Sequence, residues 1–460
     1  MNIKSTSNIN DLEYLRVAVV SKSDRYGGGA SLIAEQLTLA LRQYGHAAHH
    51  WVAWWGDGLE PHMRSLYGIR YKKCLAKLHK IVGAFGLQEL IPWEYANIRR
   101  HFAAYQIAHF HDISSAISPY SIKLLSRRMP VVWTFHDCSP FTGGCLHPMD
   151  CNKFETGCHD CPQLGRWPLQ CGINTRLHLG LDFSGFMQLL KRRMALQRSF
   201  VPVTPSQWMA DQAMRSGMFA QRPIVIPNWV DVDTFRPMPK KEIREQLGLP
   251  LNEFLLIFFA NYLGNSFKGV EYLIEAARRC QRPLSIILVG RAEQEMMKLF
   301  QGLSVIYKGF IADRALLARY IAAADVAINP TLAESFSCAT IEAMACETPT
   351  IAFAVGGVPD LIDHGHTGWL VKAKDVDGLV QGLQLFYDHP ELRRQWARQG
   401  RKNAVLRYHR DVFLKAHVNL YRSLLQNGGQ IKCTLSLRER ARVRADRRLV
   451  GRDEQFAKLN

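Results

Sequence analysis

Two glutamates and the residues between them are the first in this sequence whose types and spacing suggest chemistry. Glu334 follows an apolar run, and Glu342 lies eight positions later in a helical pattern. At about 1.5 Å per residue, at most roughly 12 Å separates the two carboxylates along a helix axis, so one extended ligand could contact both. The backbone amides of Ser335, Phe336 and Ser337 would open that helix, and a helix N-terminus suits a phosphate group. The pattern predicts a site for a phosphorylated, hydroxyl-rich ligand, with two solvated surface acids as the alternative.

A second cluster consists of cysteines. Six of the eleven cysteines fall between residues 138 and 171, and two of them form a Cys-x2-Cys pair. Four thiolates match a closed tetrahedral zinc site, and the predicted ligands are Cys145, Cys151, Cys158 and Cys161. The alternative ligands are Cys138, Cys171 and His159. Unliganded reduced thiols are the other interpretation, and an iron–sulfur cluster is a weaker one. Zinc would be structural here, because it would help to order a long loop that has weak helix and strand signals.

One histidine lies at a position where α/β proteins often bind ligands. His136 directly follows the apolar run at 131–135. Open α/β sheets bind ligands in the crevice beyond the carboxyl ends of their strands, so a histidine there is a candidate for polar contact with a ligand. A core or surface histidine without a function is the alternative.

The elements that must position these residues follow an alternating pattern. Short β-branched and apolar runs alternate with helical patterns, which predicts mostly parallel sheets covered by helices. The predicted strands are 16–20, 107–110, 131–135, 200–203, 254–259, 285–289, 305–307, 325–329 and 350–353. Helices are predicted at 33–44, 270–279, 316–324, 339–345 and 408–426. The fold class is therefore α/β, with two doubly wound Rossmann-like domains that face a central cleft.

The domain boundaries follow from turn-rich and charged segments. Residues 1–15 form a polar N-terminal extension, and the first domain spans 16–228 with the cysteine-rich insertion at 138–171. The second domain spans 229–405, and a helix at 406–427 packs back on the rest. Residues 428–460 read as a basic, mobile tail, because 431–460 carries nine Lys or Arg against four Asp or Glu. An arm that touches anionic lipid is the alternative reading of the tail.

Composition limits the class of protein. The chain has 460 residues, 47% of them hydrophobic and 21% charged, which excludes a chain that is disordered throughout. The net charge of +18 predicts attraction to phosphorylated ligands, polyanions or an anionic membrane face. The longest apolar run is seven residues, at 254–260, so neither a transmembrane helix nor a signal peptide is expected.

A basic stretch at 64–102 has apolar residues interleaved with its charges. Such a stretch suits an anionic bilayer surface, with an ordinary solvated helix as the alternative. Its basic residues are Arg64, Arg70, Lys72, Lys73, Lys77, Lys80, Arg99 and Arg100.

Several motifs, taken in order, resemble the retaining GT-B glycosyltransferases with the E-x7-E motif, which build polysaccharides, lipopolysaccharides and glycolipids. The E-x7-E signature runs from Glu334 to Glu342 and is followed by the family-like stretches 349–360 and 364–371. Residues 226–237 are similar to the family's linker, and Phe-Lys-Gly-Val at 267–270 is similar to its lysine motif. The resemblance covers residues 16 to 425. A subset of the family has a similar insertion from Thr-Gly-Gly-Cys to Cys-Pro-Gln-Leu.

The resemblance implies a role for each matching residue. Glu342 would hold the ribose of a nucleotide-sugar donor, and Glu334 would face the transferred sugar. Lys268 would neutralise the diphosphate, and His136 would contact the sugar. Gly28 and Gly29 would let the backbone approach the diphosphate. Retaining members react on the face from which the leaving group departs, so no catalytic metal or organic cofactor is expected.

One departure from the family pattern concerns charge at the diphosphate. The family usually places an arginine shortly before the lysine, whereas this chain has Asn261 at the end of the strand. Arg291, after the next strand, or Arg25 would have to compensate.

The acceptor would be a glycan or lipid-linked acceptor in surface polysaccharide synthesis. The protein would be cytoplasmic and would visit the inner membrane leaflet. A nucleotide-sugar epimerase on the same scaffold is one alternative, and a zinc-containing nucleic-acid-binding protein is another. The bases are spread along the chain without a series of stacking aromatics, so no nucleic-acid partner is expected.

Overall fold

The first half of the chain forms a parallel sheet. A computed structural model describes residues 14–56, 58–67, 91–114, 116–164 and 182–426. In this part of the chain, seven strands pair in the order β3-β2-β1-β4-β5-β6-β7, and every neighbouring pair is parallel. The strands are β1 (Arg16–Ser23), β2 (Ala47–Trp54), β3 (Met63–Ser65), β4 (Ile107–Phe110), β5 (Val131–Thr134), β6 (Val201–Thr204) and β7 (Ile224–Val225).

The second half forms a parallel sheet of its own. Six strands of the described region pair in the order β10-β9-β8-β11-β12-β13. They are β8 (Leu255–Tyr262), β9 (Ser285–Arg291), β10 (Val305–Tyr307), β11 (Val326–Asn329), β12 (Thr350–Phe353) and β13 (Gly368–Val371). Strand β9 is buried at every position before Arg291, as expected for a strand that helices cover on both faces.

Helices cover both sheets. In the first half they are α1 (Gly29–Gln43), α2 (Tyr95–His101), α3 (Pro119–Leu125), α4 (Lys153–Thr156), α5 (Ser184–Leu196) and α6 (Gln207–Arg215). In the second half they are α7 (Lys240–Leu247), α8 (Val270–Arg279), α9 (Gln294–Lys298), α10 (Arg314–Ala323), α11 (Cys338–Ala345), α12 (Val376–Asp388), α13 (Pro390–Arg407) and α14 (Arg410–Gln426). None of the helices in the described ranges is long and apolar enough to span a membrane.

The last helix returns to the first domain. Phe413, Val418 and Tyr421 of α14 are buried in one hydrophobic cluster with Val17 of β1 and Ile33 of α1. Because the apolar face of α14 needs a covered surface, burial there stabilises the link between the two domains. The chain thus crosses between the domains a second time, after helix α13 ends at Arg407.

Direct hydrogen bonds also join the two domains at the cleft. The Ser206 hydroxyl, at the start of α6, donates to the Ser335 carbonyl over 2.7 Å. The backbone amide of Gln207 donates to Asp360 Oδ2, also over 2.7 Å. These contacts place the start of a first-domain helix beside the loop that carries Glu334.

The prediction of two doubly wound α/β domains is confirmed. The predicted strands at 107–110, 305–307 and 350–353 have these same bounds in the structure. The sequence patterns missed β2, β3, β7 and β13, and they missed several helices, among them the short helix α4 inside the cysteine-rich insertion. In each sheet the order reverses beside the first strand, at β1 and at β8. In open α/β sheets, ligands bind in the crevice that such a reversal leaves beyond the carboxyl ends of the strands.

Some predicted features lie outside the described residues. These are the N-terminal extension up to residue 13, most of the basic stretch at 64–102, Cys171, and the basic tail at 428–460.

Candidate active site

The predicted acid Glu334 lies beyond the carboxyl end of β11 and forms an ion pair with Lys268. Lys268 Nζ lies 2.8 Å from Glu334 Oε2. Behind Glu334, the Gly357 amide donates to the Glu334 carbonyl over 3.0 Å. A Cβ on Gly356, whose φ is +60°, would lie 1.8 Å from that carbonyl oxygen. The two glycines therefore allow a close backbone contact that fixes the position of Glu334.

Charge on Glu334 depends on its lysine. Burial disfavours the carboxylate, but the Lys268 charge and hydrogen bond outweigh burial and hold the pKa of Glu334 below its ordinary value. Glu334 is therefore ionised at neutral pH and only accepts hydrogen bonds, which suits contact with donating sugar hydroxyls.

The second acid, Glu342, is buried in the middle of α11 and also has a cationic partner. Arg314, at the start of α10, donates from Nη2 to Glu342 Oε1. The Arg314 guanidinium lies 4.7 Å from the centroid of the Phe235 ring, so an aromatic face holds it as well. Arg314 thus orients the carboxylate that the sequence assigns to ribose binding.

The three residues after Glu334 differ in what they can offer a ligand. The Phe336 ring is buried and packs edge-on against Tyr408, with ring centroids 5.8 Å apart, so only its backbone can take part. The Ser337 hydroxyl caps helix α11 and accepts from Asn329 over 2.9 Å, so structural contacts occupy it. The Ser335 hydroxyl oxygen is buried and has no hydrogen-bond partner among the described residues. Of these side chains, Ser335 is the one whose hydrogen-bonding capacity is unused.

Asn261 and Arg291 contact each other. They lie at the carboxyl ends of the neighbouring strands β8 and β9, and Arg291 Nη1 donates to Asn261 Oδ1 over 2.7 Å. The guanidinium also lies 4.1 Å from the centroid of the Phe310 ring. A fixed positive charge therefore stands beside the asparagine that replaces the family's arginine.

The predicted glycine loop begins α1, directly after β1. Gly28 has φ +116°, and a Cβ on Gly28 or Gly29 would meet nothing within 4 Å, so open space lies in front of both. Arg25, at the start of the loop, forms ion pairs with Glu35 and Glu60. These pairs anchor the loop, so Arg25 is committed to holding the glycines rather than left to face a diphosphate.

His136 lies just beyond the carboxyl end of β5, against a second histidine. His111 Nδ1 and His136 Nε2 are 2.9 Å apart, and the rings stack with centroids separated by 5.1 Å. Burial lowers the pKa of His136 to about 4, although Asp112 opposes the shift. His111 Nε2 is buried without a partner in the described residues, and an unpaired N–H costs more than an unpaired lone pair. We therefore assign the His111 proton to Nδ1, where it donates to His136 and leaves the His136 proton on Nδ1.

More histidines connect this pair to the last helix. His109 Nε2 lies 2.7 Å from Thr134 Oγ1, and His109 Nδ1 lies 2.6 Å from the Tyr421 hydroxyl of α14. The His109 ring is 4.3 Å from His111 and 5.4 Å from His417. A continuous set of uncharged rings thus runs from α14 to the predicted site histidine.

The four cysteines predicted to bind zinc surround one cavity. Cys145, Cys151, Cys158 and Cys161 all line a cavity of about 20 Å³. Burial raises the pKa of Cys145 to about 12 and that of Cys158 to about 11. These values describe the thiols without a metal, and the cysteines of the described residues are all free.

Their sulfurs are further apart than zinc would hold them. Within the described ranges, three potential metal ligands come within 4.8 Å of one another only at Glu35, Glu60 and His62. In a tetrahedral site with Zn–S bonds of about 2.3 Å, the sulfurs would be about 3.8 Å apart. The donor set fits zinc, and closure of the site would require the four sulfurs to move together.

Sequence reasoning missed three residues that contact the predicted site. Arg314 and His111 hold Glu342 and His136, and His147 reaches across the cleft to Phe267, next to Lys268. The only signal for His111 was its position after β4, at the same sheet edge as His136. Nothing in the local patterns around Arg314 or His147 indicated a partner so distant in the chain.

The fold and the site define a class: a two-domain α/β enzyme whose cleft holds two acids, each paired with a cation. The pattern of the family described as "Glycosyl transferases group 1" matches residues 239–403, and that of "Glycosyltransferase Family 4" matches residues 27–234. The chain belongs to the group 1 glycosyltransferases, and its fold is GT-B.

Named relatives agree with this assignment. The N-acetyl-alpha-D-glucosaminyl L-malate synthase of Bacillus anthracis is 22% identical over 414 residues, which cover 87% of this chain and 95% of that protein. The D-inositol 3-phosphate glycosyltransferase of Arthrobacter sp. strain FB24 is 32% identical over 183 residues, covering 37% of this chain and 42% of that protein.

Solved structures share the fold. The sucrose-phosphate synthase of Thermosynechococcus elongatus has a TM-score of 0.67 at 20% identity, covering 90% of this chain and 100% of that chain. The HepE protein of Anabaena in complex with UDP has a TM-score of 0.64 at 19% identity, covering 89% of this chain and 100% of that chain.

Proposed function

We propose that this glycosyltransferase moves a sugar from a nucleotide-sugar donor to a glycan or lipid-linked acceptor, with retention of configuration, in surface polysaccharide synthesis. The observation that carries the proposal is the ion pair of Lys268 and Glu334 beside the unpaired Ser335 hydroxyl. A cation and a hydrogen-bonding hydroxyl suit a diphosphate, and an ionised carboxylate suits the hydroxyls of the adjoining sugar. Structures of HepE with UDP and with UDP-glucose support a uridine nucleotide as the first donor to test.

In the proposed reaction, the acceptor hydroxyl oxygen bonds to the anomeric carbon of the donor sugar. The bond from that carbon to the diphosphate oxygen breaks, and the acceptor proton passes to an oxygen of the departing nucleoside diphosphate. Lys268 stabilises the charge that develops on the diphosphate, and removal of one such group typically costs about 3–4 kcal/mol of transition-state stabilisation. His136 is neutral and offers a hydrogen bond to the sugar rather than taking the acceptor proton.

Melting temperatures measured with UDP, GDP, ADP and their sugars test the donor. A ligand that binds only the folded protein, at about 100 times its Kd, adds about 2.7 kcal/mol to the free energy of unfolding. We expect one nucleotide and its sugars to raise the melting temperature, and Lys268→Ala to weaken that shift. If no nucleotide sugar shifts the wild-type protein, the donor proposal is wrong.

Product stereochemistry tests retention, and an assay without acceptor tests the epimerase alternative. NMR of the new glycosidic bond should show the anomeric configuration of the donor, and an inverted product contradicts retention. An epimerase would convert its donor with no acceptor present, whereas a transferase needs one. The names of the relatives, which are synthases and glycosyltransferases, favour transfer.

For the cysteine cluster we propose one structural zinc ion, held by Cys145, Cys151, Cys158 and Cys161. The shared cavity and the soft donor set support this. Metal analysis of the purified protein should give about one zinc per chain. Cys158→Ser with Cys161→Ser should abolish it, whereas Cys280→Ser, outside the insertion, should not. Zinc-free wild-type protein, purified without chelators, contradicts the proposal.

We also propose that the protein is cytoplasmic and contacts the inner membrane leaflet. The net charge of +18 supports attraction to anionic lipid. Flotation with phosphatidylglycerol-containing liposomes should recover the protein at low salt and not at high salt. Absence from the liposome fraction at low salt contradicts this idea.

A further inference from the structure

His147, in the cysteine-rich insertion, crosses the cleft between the two domains. It belongs to the first half of the chain, yet its ring packs edge-on against Phe267 of the second domain, with ring centroids 5.7 Å apart. Phe267 directly precedes Lys268, so the insertion reaches the residues that form the second-domain wall of the cleft.

The His147 ring has a nitrogen atom whose hydrogen-bonding capacity is unused. His147 Nδ1 is buried and has no hydrogen-bond partner among the described residues. The ring contacts Phe267, the residue next to Lys268, and Lys268 in turn bonds Glu334. A buried polar atom without a partner is costly, by about 1–3 kcal/mol, and such atoms are rare in folded proteins.

The backbone around His147 is held in place. Gln163, two residues after Cys161, donates from Nε2 to the His147 carbonyl over 2.6 Å. On the other side, the Leu146 carbonyl accepts from the Cys138 amide over 2.8 Å. The segment that carries the ring is therefore tied at both flanks to the cysteine-rich insertion, so the ring is presented to the cleft by an ordered loop.

We propose that His147 is a donor-binding residue whose imidazole forms a hydrogen bond with a hydroxyl of the sugar being transferred, next to the ion pair of Lys268 and Glu334. The inference rests on the proposed nucleotide-sugar donor and deepens it. A sugar hydroxyl donates and accepts, so it can pair with either state of an imidazole nitrogen. The cysteine-rich insertion then completes the donor site from the opposite domain, and its role is to position His147.

The test compares three variants with the wild-type enzyme. His147→Ala removes the ring, and His147→Asn places an amide close to where Nδ1 stands. His366→Ala is the control, because His366 is an exposed histidine of the second domain, outside the cysteine-rich insertion. Each protein is assayed for kcat/KM with the nucleotide sugar, for affinity towards the free nucleotide diphosphate, and for melting temperature.

We expect His147→Ala to lower kcat/KM about tenfold, which corresponds to about 1.4 kcal/mol, with little change in affinity for the nucleotide diphosphate. His147→Asn should recover part of that loss, and His366→Ala should match the wild type. A donor that lacks the contacted hydroxyl should lose activity with the wild type and lose no more with His147→Ala.

Two results would overturn the inference. One is a His147→Ala enzyme with wild-type kcat/KM, and the other is a loss that affects the free nucleotide equally. If His147→Ala lowers the melting temperature, His147→Asn decides the matter, because it must then fold and keep activity above that of the alanine variant. A wild-type protein that binds no nucleotide sugar would instead contradict the proposed function, so the two failures are distinguishable.

Discussion

The two walls of the cleft use different chemistry. On the second-domain wall, each predicted acid has a cation: Glu334 pairs with Lys268, and Glu342 pairs with Arg314. On the first-domain wall, the predicted site residue is a histidine, His136, which burial keeps neutral. Charge is thus set in place on the second-domain wall, where a charged diphosphate would bind, whereas the histidine predicted to contact the sugar from the first domain is neutral.

This difference has a physical reason. An ion pair in a partly buried cleft keeps both members charged while no ligand is bound, so a ligand meets groups that are already oriented. A protonated histidine on the opposite wall would compete for the diphosphate. Desolvation of the histidines avoids this competition, because burial disfavours the imidazolium form.

The largest effect should come from the charge at the centre of the second-domain wall. Lys268→Ala should lower kcat/KM by about 100- to 1000-fold, the usual cost of losing one preorganised group that stabilises developing charge. Steady-state kinetics measure this loss. Lys298→Ala is the control, because Lys298 is an exposed lysine that pairs with Glu295 on a surface helix.

The removal of Lys268 also leaves Glu334 without its partner, so stability must be measured with activity. Lys268→Arg keeps the charge and should retain more activity than the alanine variant. A Lys268→Ala enzyme that is folded and within about threefold of the wild type would remove the distinction between the two walls.

The next effect concerns orientation rather than charge at the reacting centre. Arg314→Ala should raise KM for the donor about tenfold with little change in kcat, because Glu342 keeps its carboxylate but loses the group that holds it. Arg314→Lys should restore part of the affinity. Arg319→Ala is the matched control on the same helix, since Arg319 bonds Gln246 away from both acids. An equal fall in kcat would instead place Arg314 among the residues that act in the transition state.

The sequence predicted one wall of this cleft better than the other. Glu334, Glu342 and Lys268 belong to short local motifs, so a linear pattern reveals them. The residues that hold the site residues are not revealed in this way, because Arg314 is 28 positions from Glu342 and His111 is 25 positions from His136. Such pairs depend on the order of strands in the sheet, which the local pattern of hydrophobic residues does not encode.

The same limit explains the missed elements of the fold. Most predicted strands are continuous apolar runs, because helices cover both faces of a parallel sheet and its strands are buried on both sides. Strand β2 (Ala47–Trp54) was missed because it contains His49 and His50, and β7 (Ile224–Val225) because it has only two residues. His50 is fully buried and bonds Ser21 over 2.8 Å, so a polar residue occupies a core position that a hydropathy pattern does not recognise.

A third prediction uses pH to test whether the first-domain histidines are neutral. Burial lowers the pKa of His417 to about 4, below the ordinary value near 6.5. Between those values the unfolded chain binds a proton that the folded protein does not, so stability is full above pH 6.5 and falls as the pH drops towards 4. Each such histidine contributes a slope of up to about 1.4 kcal/mol per pH unit.

His417→Phe should therefore make the free energy of unfolding less dependent on pH between 6.5 and 4. Urea unfolding at several pH values measures the slope, and the slope is informative even if the variant is less stable at pH 7. His109 and Tyr421 face the ring and remain in place. His366→Gln, at an exposed histidine, is the control variant. If His417→Phe leaves the slope unchanged, burial does not lower the pKa of His417 in the folded protein.

The smallest expected effect concerns the glycine loop of the first domain and tests whether its backbone contacts the diphosphate. A Cβ on Gly29 would meet nothing within 4 Å, and Gly29 is the first residue of α1, so Gly29→Ala should fold at least as well as the wild type. If the backbone there approaches the diphosphate, the added methyl group will lower donor affinity about threefold while the melting temperature stays the same or rises. Affinity for the nucleotide diphosphate, measured by calorimetry, separates the two cases. Unchanged affinity would mean that the backbone at Gly29 makes no contact with the diphosphate, as expected if the second domain supplies the groups that bind it.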